Sequence, residues 1–217
     1  MTSPGRVRRR TALAALLLAP AMAGLRVAAA PAQTPLGRVT AVRGPAGLIR
    51  YGVSQGLTRG AVVIGGDRLV TGERTKVSLG VNGGAVLTVG PATDITVTRY
   101  RTDRDGHDLT LTLARGSLRA HLAAGAQWRA VSIAAPTATA TTQAGTLVIE
   151  ADLFTATIYA LDGPARVSIT PDAPGGTAVA RLGTGMGVDV ARGARAIRPV
   201  PWTNRTAAPL LTRTTLR

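Results

Sequence analysis

The chain has 217 residues, no cysteine, 45% hydrophobic but only 3% aromatic residues, and a formal net charge of +15. These figures exclude disulfides and thiolate metal sites, and they leave Val, Leu, Ile and Ala to fill the core of roughly one domain. The charge does not indicate specific nucleic-acid binding. Arg6, Arg8, Arg9, Arg10 and Arg26 sit in an acid-free leader, Lys76 is the sole lysine, and the other arginines are scattered with no aromatics interleaved for base stacking.

In chain order, Met1–Arg10 carries clustered arginines, Thr11–Leu25 is apolar and uncharged, and small residues follow at Val27–Gln33. A basic start, a short apolar run and small residues make a secretory signal peptide over 1–32, cleaved after Ala30 or Ala32. Arg8-Arg9-Arg10 leaves the general and the twin-arginine export routes both open. Pro20 and Arg26 break the run, so no membrane span is expected after cleavage.

From Leu36 onward the pattern is that of short strands. Leu36–Val42 and Leu48–Tyr51 come first. In Lys76–Val81, Val77, Leu79 and Val81 alternate with Lys76, Ser78 and Gly80, which predicts a strand with one buried face. Asn82-Gly83-Gly84 supplies a tight turn into Ala85–Val89, Gly90-Pro91 ends that strand, and Asp94–Tyr100 resumes. Arg101–Asp108 reads as a polar loop. Leu109–Ala114 alternates cleanly, and Arg115-Gly116-Ser117 reads as a turn into Leu118–Leu122. Trp128–Ile133, Thr137–Thr142, Thr146–Glu150, Phe154–Ala160, Arg166–Thr170, Ala178–Leu182 and Val188–Val190 complete the strands, and Pro171–Gly176 is a loop. Turns every six to twelve residues and no helical period predict an all-β fold over 36–190. Its stacked short strands form a β-roll, a solenoid-like stack or a sandwich, with no substantial helix after the signal peptide. Residues 191–217 lose alternation and read as an irregular C-terminal tail.

Several turns, taken together, resemble the FecR domain. Gly60, then Gly66-Asp67-Arg68-Leu69-Val70-Thr71-Gly72, is similar to that family's "G-x-x-L-x-x-G-D-x-I-x-T-G" opening. Gly90-Pro91-Ala92-Thr93, Leu113–Leu118, Val131–Ala138, Gln143–Ile149 with its Gly145-Thr146 step, and Ala160-Leu161-Asp162-Gly163 follow in the family's order over Leu36–Thr170. Asn82-Gly83-Gly84 in place of Asp-Gly, and Ala134 where Thr is usual, depart from the pattern. The resemblance implies a periplasmic, non-catalytic all-β domain. Its best-known members sit in a membrane-spanning sigma-factor regulator that relays a signal from an outer-membrane transporter. Only Met1–Arg10 precedes the apolar run here, so a stand-alone exported version is expected.

Candidate sites are few. Gly66, Asp67, Thr71, Gly72, Gly145 and Thr146 carry the resemblance and are expected to set turn geometry, with Asp and Thr bonding nearby amides. Asp103, Asp105, Gly106, His107 and Asp108 are the densest oxygen-ligand cluster, but without the later Glu of a calcium loop they read as a hairpin turning at Asp105-Gly106. No metal, cofactor or catalytic residue is expected. There is no G-x-S-x-G elbow, P-loop or H-E-x-x-H, and His121 reads as a solvent-facing strand residue. Trp128 reads as core. Trp202 is the candidate partner anchor. The expected function is a protein-interaction, scaffold or signal-relay module with an envelope protein as partner. The alternative is a carbohydrate- or cell-wall-binding β domain using an arginine-bearing face.

Overall fold

Each alternating run folds as a strand whose apolar side faces inward. The computed structural model describes residues 34–170 and 178–215, so the signal-peptide reading of 1–32 and the Pro171–Gly176 loop lie outside the described residues. The strands are β1 (Pro35–Arg43), β2 (Ala46–Arg50), β3 (Val53–Gly56), β4 (Val62–Ile64), β5 (Arg68–Thr71), β6 (Lys76–Val81), β7 (Ala85–Val89), β8 (Asp94–Asp103) and β9 (Gly106–Leu122). They continue as β10 (Trp128–Ala134), β11 (Ala138–Thr142), β12 (Gly145–Ala151), β13 (Thr155–Asp162), β14 (Ala165–Ile169), β15 (Val179–Leu182), β16 (Met186–Ala191) and β17 (Val200–Pro201), before helix α1 (Asn204–Thr214).

The strands form two layers. One sheet runs β4–β1–β6–β7–β9–β12–β13–β16–β17. The other runs β3–β2–β5–β8–β9–β10–β11–β14–β15, antiparallel except for the parallel β9–β10 pair. Inward residues of both, such as Val77, Leu79 and Leu118 against Leu48, Leu69 and Leu111, join in one buried cluster. The all-β expectation holds. Trp128 lies in that cluster, as expected.

β9 belongs to both sheets. Its first half pairs with β8 and its second with β12, and the crossing falls at Gly116. Arg115-Gly116-Ser117 is therefore a bend within one strand, which corrects the expected chain reversal. A positive φ of 94° at Gly116 redirects the strand without turning it back. The Arg101–Asp108 segment is likewise not a loop, because β8 and β9 pair down to Asp103 and Gly106 and leave only Arg104-Asp105 as the turn. Thr137–Thr142 contributes β11 (Ala138–Thr142), which lies between β10 and β14.

The irregular tail is the largest correction. Thr203 caps α1 by accepting from the Thr206 N–H, and Ala207, Leu210 and Thr214 fall on one buried side at i, i+3 and i+7. That side covers Val148 and Tyr159 on the outer face of β12 and β13. The sole lysine caps the far end: Lys76 Nζ donates to the Thr212 and Thr215 carbonyls at 2.7 Å each, which satisfies oxygens left free at a helix C-terminus. Arg213 pairs with Glu150 to fix the same end. Pro209 hides this helix in the sequence. The unbroken run Leu147-Val148-Ile149 signals it indirectly, since a strand covered on both faces does not alternate.

Candidate functional site

The β2–β3 hairpin turns on two residues, Tyr51 (φ 51°) and Gly52 (φ 80°), the two positive φ values that a type I′ turn requires. Glycine adopts this freely, whereas a tyrosine there costs about 1–2 kcal/mol. The chain spends that energy to display the ring. Tyr51 is 78% exposed and Val53, the next strand residue, 68%. The sequence reading placed Tyr51 at the end of a strand and missed β3. The signal was the Tyr-Gly pair, which is not one of the usual Asn-Gly or Asp-Gly turn dipeptides.

Behind the tip the hairpin is locked. The Asp67 carboxylate is fully buried and takes two bonds from Arg50, from Nε at 2.7 Å and from Nη2 at 2.6 Å. It also accepts the Ile64 N–H at 2.8 Å, and Arg50 Nη2 donates to the Val62 carbonyl at 2.8 Å. A bidentate arginine–carboxylate pair fixes both distance and plane. Gly66, at φ 88°, makes the turn that delivers Asp67, and Gly66 N–H donates to the Val97 carbonyl at 2.7 Å. The groove between these parts, about 360 Å³, is lined by Ile49, Tyr51, Gly65 and Thr96. Gly66 and Asp67 thus build the support of an exposed aromatic tip.

β3 is also a free edge, paired with β2 only among the described residues. In a two-residue hairpin the residues flanking the turn, here Arg50 and Val53, exchange hydrogen bonds, and the pattern then alternates. The Ile49–Ser54 pair is therefore non-bonded, and Ser54 aims its N–H and carbonyl away from β2. The β15 edge is likewise four residues paired on one side among the described residues, with Val179 exposed, but it carries no strained aromatic; the edges of the other sheet are less open. β17 is two residues ending in Pro201, and β4 has its Val62 carbonyl taken by Arg50.

The remaining motif residues do not join this site. Thr71 Oγ1 donates to the Gly90 carbonyl at 2.7 Å and accepts the Thr93 N–H at 2.8 Å, while Gly72 N–H donates to the Pro45 carbonyl at 3.1 Å. These bonds tie together turns at the other end of β5. Gly145, at φ 83°, starts β12 where an added Cβ would lie 2.1 Å from the Asp162 carbonyl oxygen. Thr146 Oγ1 lies 2.9 Å from His121 Nδ1.

Trp202 turns inward. Its ring stacks on Tyr159 with centroids 5.3 Å apart and planes 12° from parallel, and it packs over Gly187, where a Cβ would meet the indole at 2.2 Å. Its contacts seat α1 on the sheet. In the aspartate cluster, Arg129 donates to both oxygens of Asp103, at 2.7 and 2.9 Å, and to Asp108. His107 Nδ1 lies 2.8 Å from Thr102 Oγ1. Arg129 neutralises the two carboxylates that a cation would need, and among the described residues no group of three His, Asp or Glu converges on a point.

A second arginine–carboxylate pair lies close by, with Asp94 buried and Arg68 exposed. Arg68 donates to Asp94 from Nε at 2.7 Å and from Nη2 at 2.5 Å, and this hydrogen bond holds the Asp94 carboxyl below the usual range. A depressed folded pKa means that the pair contributes in full above about pH 4 and that its contribution is lost as pH falls through the lower folded value. The urea midpoint should therefore hold from neutral pH to about pH 4 and decline below it. Asp94→Asn should lower the midpoint at pH 7 and flatten the acid decline. An equally steep decline in the variant would rule Asp94 out.

No protein-family model matches the chain, and no curated protein matches it. Solved structures that resemble its fold include two crystal structures of a candidate anti-sigma factor from Parabacteroides distasonis ATCC 8503, at 2.50 Å and 1.65 Å resolution. Their TM-scores are 0.52 and 0.50, each at 13% identity, and each alignment covers 66% of this chain. The chain spans 63% and 64% of the lengths of those two chains. The likeness is one of fold. No helix among the described residues is long and apolar enough to cross a membrane.

Proposed function

We propose that this chain is a non-catalytic, FecR-like module that is exported to the bacterial periplasm or cell envelope and acts by protein contact, as a signal relay or scaffold. It takes an extended segment of its partner onto the free edge of β3, with Tyr51 as the anchor. The observation that carries this reading is an exposed aromatic ring at an unfavourable φ on a hairpin anchored next door by the Arg50–Asp67 pair, because strain of that kind is kept where it serves a function. The ordered FecR-like turns and the fold likeness to a candidate anti-sigma factor support the regulatory class, and the leader over 1–32 supports export.

Ser54→Pro tests the reading. Proline removes the outward N–H while leaving the ladder to β2 intact, and it is tolerated at an edge strand. The variant should keep its melting temperature and lose tenfold or more in capture of an envelope partner that Tyr51→Ala also loses, a drop on the order of that for an interface hot spot. Undiminished capture by a folded Ser54→Pro protein would sink strand addition.

A second reading, binding of an acidic cell-wall polymer, rests on a different groove. Arg166 and Arg181 stand directly opposite each other on β14 and β15, beside Arg129, in a groove of about 540 Å³. Like charges in register repel, and an anion between them would relieve this. Salt-sensitive retention on peptidoglycan that Arg166→Glu abolishes would favour it over the β3 edge.

A further inference from the structure

The chain contains a single phenylalanine, Phe154, and it is 64% exposed; its neighbour Leu153 is 61% exposed. Both sit at the tip of the β12–β13 hairpin. The tip is rigid: one Asp152 carboxylate oxygen accepts the Phe154 and Thr155 N–H groups at 2.7 and 2.8 Å, and the Arg192 N–H donates to the Phe154 carbonyl at 2.6 Å. A core short of aromatics has therefore left its one phenylalanine in water.

The surroundings of the tip are basic. Ala151 pairs with Gly116, which places Arg115 beside the tip, and the Phe154–Arg192 bond places Arg192 on its other side. Gly116 abuts Thr93, and the neighbouring Ala92 N–H bonds to the Gly72 carbonyl, which brings the Arg74 turn to the same end of the molecule. Arg43 arrives through its register with Lys76. Arg43, Arg74, Arg115 and Arg192 are exposed and make no ion pair among the described residues. Of the acids at this end, Glu150 is paired with Arg213 and Asp94, opposite Arg115, with Arg68, which leaves Glu73 and the Asp152 carboxylate of the turn itself against the four arginines. Arg43 and Arg74 also line a groove of about 600 Å³ alongside α1, with room for a phosphate headgroup.

We infer that this end of the molecule docks on an anionic phospholipid surface, with Leu153 and Phe154 entering the interfacial layer and the four arginines meeting lipid phosphates. An exposed apolar tip flanked by Arg115 and Arg192, with Arg43 and Arg74 further along the same end of the sheet, matches a lipid interface, where apolar burial and charge attraction add. A protein partner would call for a flat or concave complement of mixed polarity. The inference is independent of the β3 edge.

The absence of cysteine makes the test clean. The full chain carrying a nitroxide on Leu153→Cys is mixed with vesicles of phosphatidylcholine alone or with 30% phosphatidylglycerol, and the depth of the label is read by its collisions with oxygen and with a water-soluble nickel chelate. The same label on Arg104→Cys, at the far end of β8, is the control. Residues 1–33 are present in every sample, so their own affinity is common to all variants on one vesicle type, and the depth readout is local to position 153. The expected result is a label at 153 shielded from nickel on the anionic vesicles only, with the label at 104 in water throughout. Binding to the anionic vesicles should fall on the order of tenfold with Phe154→Ser, and again with Arg115→Glu and Arg192→Glu together. A label at 153 that stays in water on anionic vesicles, or is shielded equally on neutral ones, overturns the inference. So does shielding that needs an added envelope protein and no lipid, which would assign the tip to a protein partner.

Discussion

Asp67→Ala is expected to destabilise the fold by about 1.5–3 kcal/mol, the range for losing hydrogen bonds to a charged group, because the Arg50 left behind is part-exposed. The side chain is fully buried at the base of the groove behind Tyr51. Its loss strands the Arg50 guanidinium, held at 2.6 and 2.7 Å, and leaves the Ile64 N–H without its acceptor. The same change frees the base of the β2–β3 hairpin, so partner capture should fall with it. Urea denaturation measures the first effect. The double variant Arg50→Met/Asp67→Leu separates desolvation from fold requirement, because removing both charges should recover a good part of the loss. A single variant within about 1 kcal/mol of the parent would mean that the hairpin is held by packing and not by this pair.

Gly116→Ala should cost about 3 kcal/mol, from two sources that act together. Its φ of 94° lies where an L side chain is strained, and the new Cβ would sit 2.3 Å from Thr93 Oγ1 and 2.4 Å from Thr93 Cα. Thr93 cannot yield cheaply. It is buried, and its hydroxyl accepts the Ser117 N–H at 2.9 Å, so moving it breaks the bond that closes the crossing of β9 between sheets. Amide exchange should then show the loss on both sides of the crossing, in Leu113 and Leu118 alike. A loss confined to one sheet would show that the two layers do not depend on β9 as their common strand.

Much of the fold was legible in the chain because its strands obey simple alternation. Lys76–Val81 and Ala85–Val89 form β6 and β7 as read, around the Asn82-Gly83-Gly84 turn. Three features escaped for physical reasons. Glycine at 116 marks a bend as readily as a turn, and only the partners of β9 distinguish them. Pro209 obscured a helix whose buried side is small. Tyr51 occupies a position that usually takes Asn or Gly, so no turn signal preceded β3. The candidate site was half legible: Gly66 and Asp67 stood out as a motif, but the partner of Asp67 is Arg50, an ordinary strand arginine by sequence. Trp202 stood out as an aromatic in a polar tail, and its ring is engaged within the chain by Tyr159.

The most direct test of the central proposal is photo-crosslinking in living cells from a diazirine side chain placed at Tyr51, with the same group at Arg104 and at Val179 on the β15 edge as references. The expected result is one reproducible envelope protein crosslinked from position 51, absent from 104 and 179, and lost when Ser54→Pro is added. Crosslinks of equal strength from Val179, or none from position 51 in cells where the protein is present in the envelope fraction, would contradict the account.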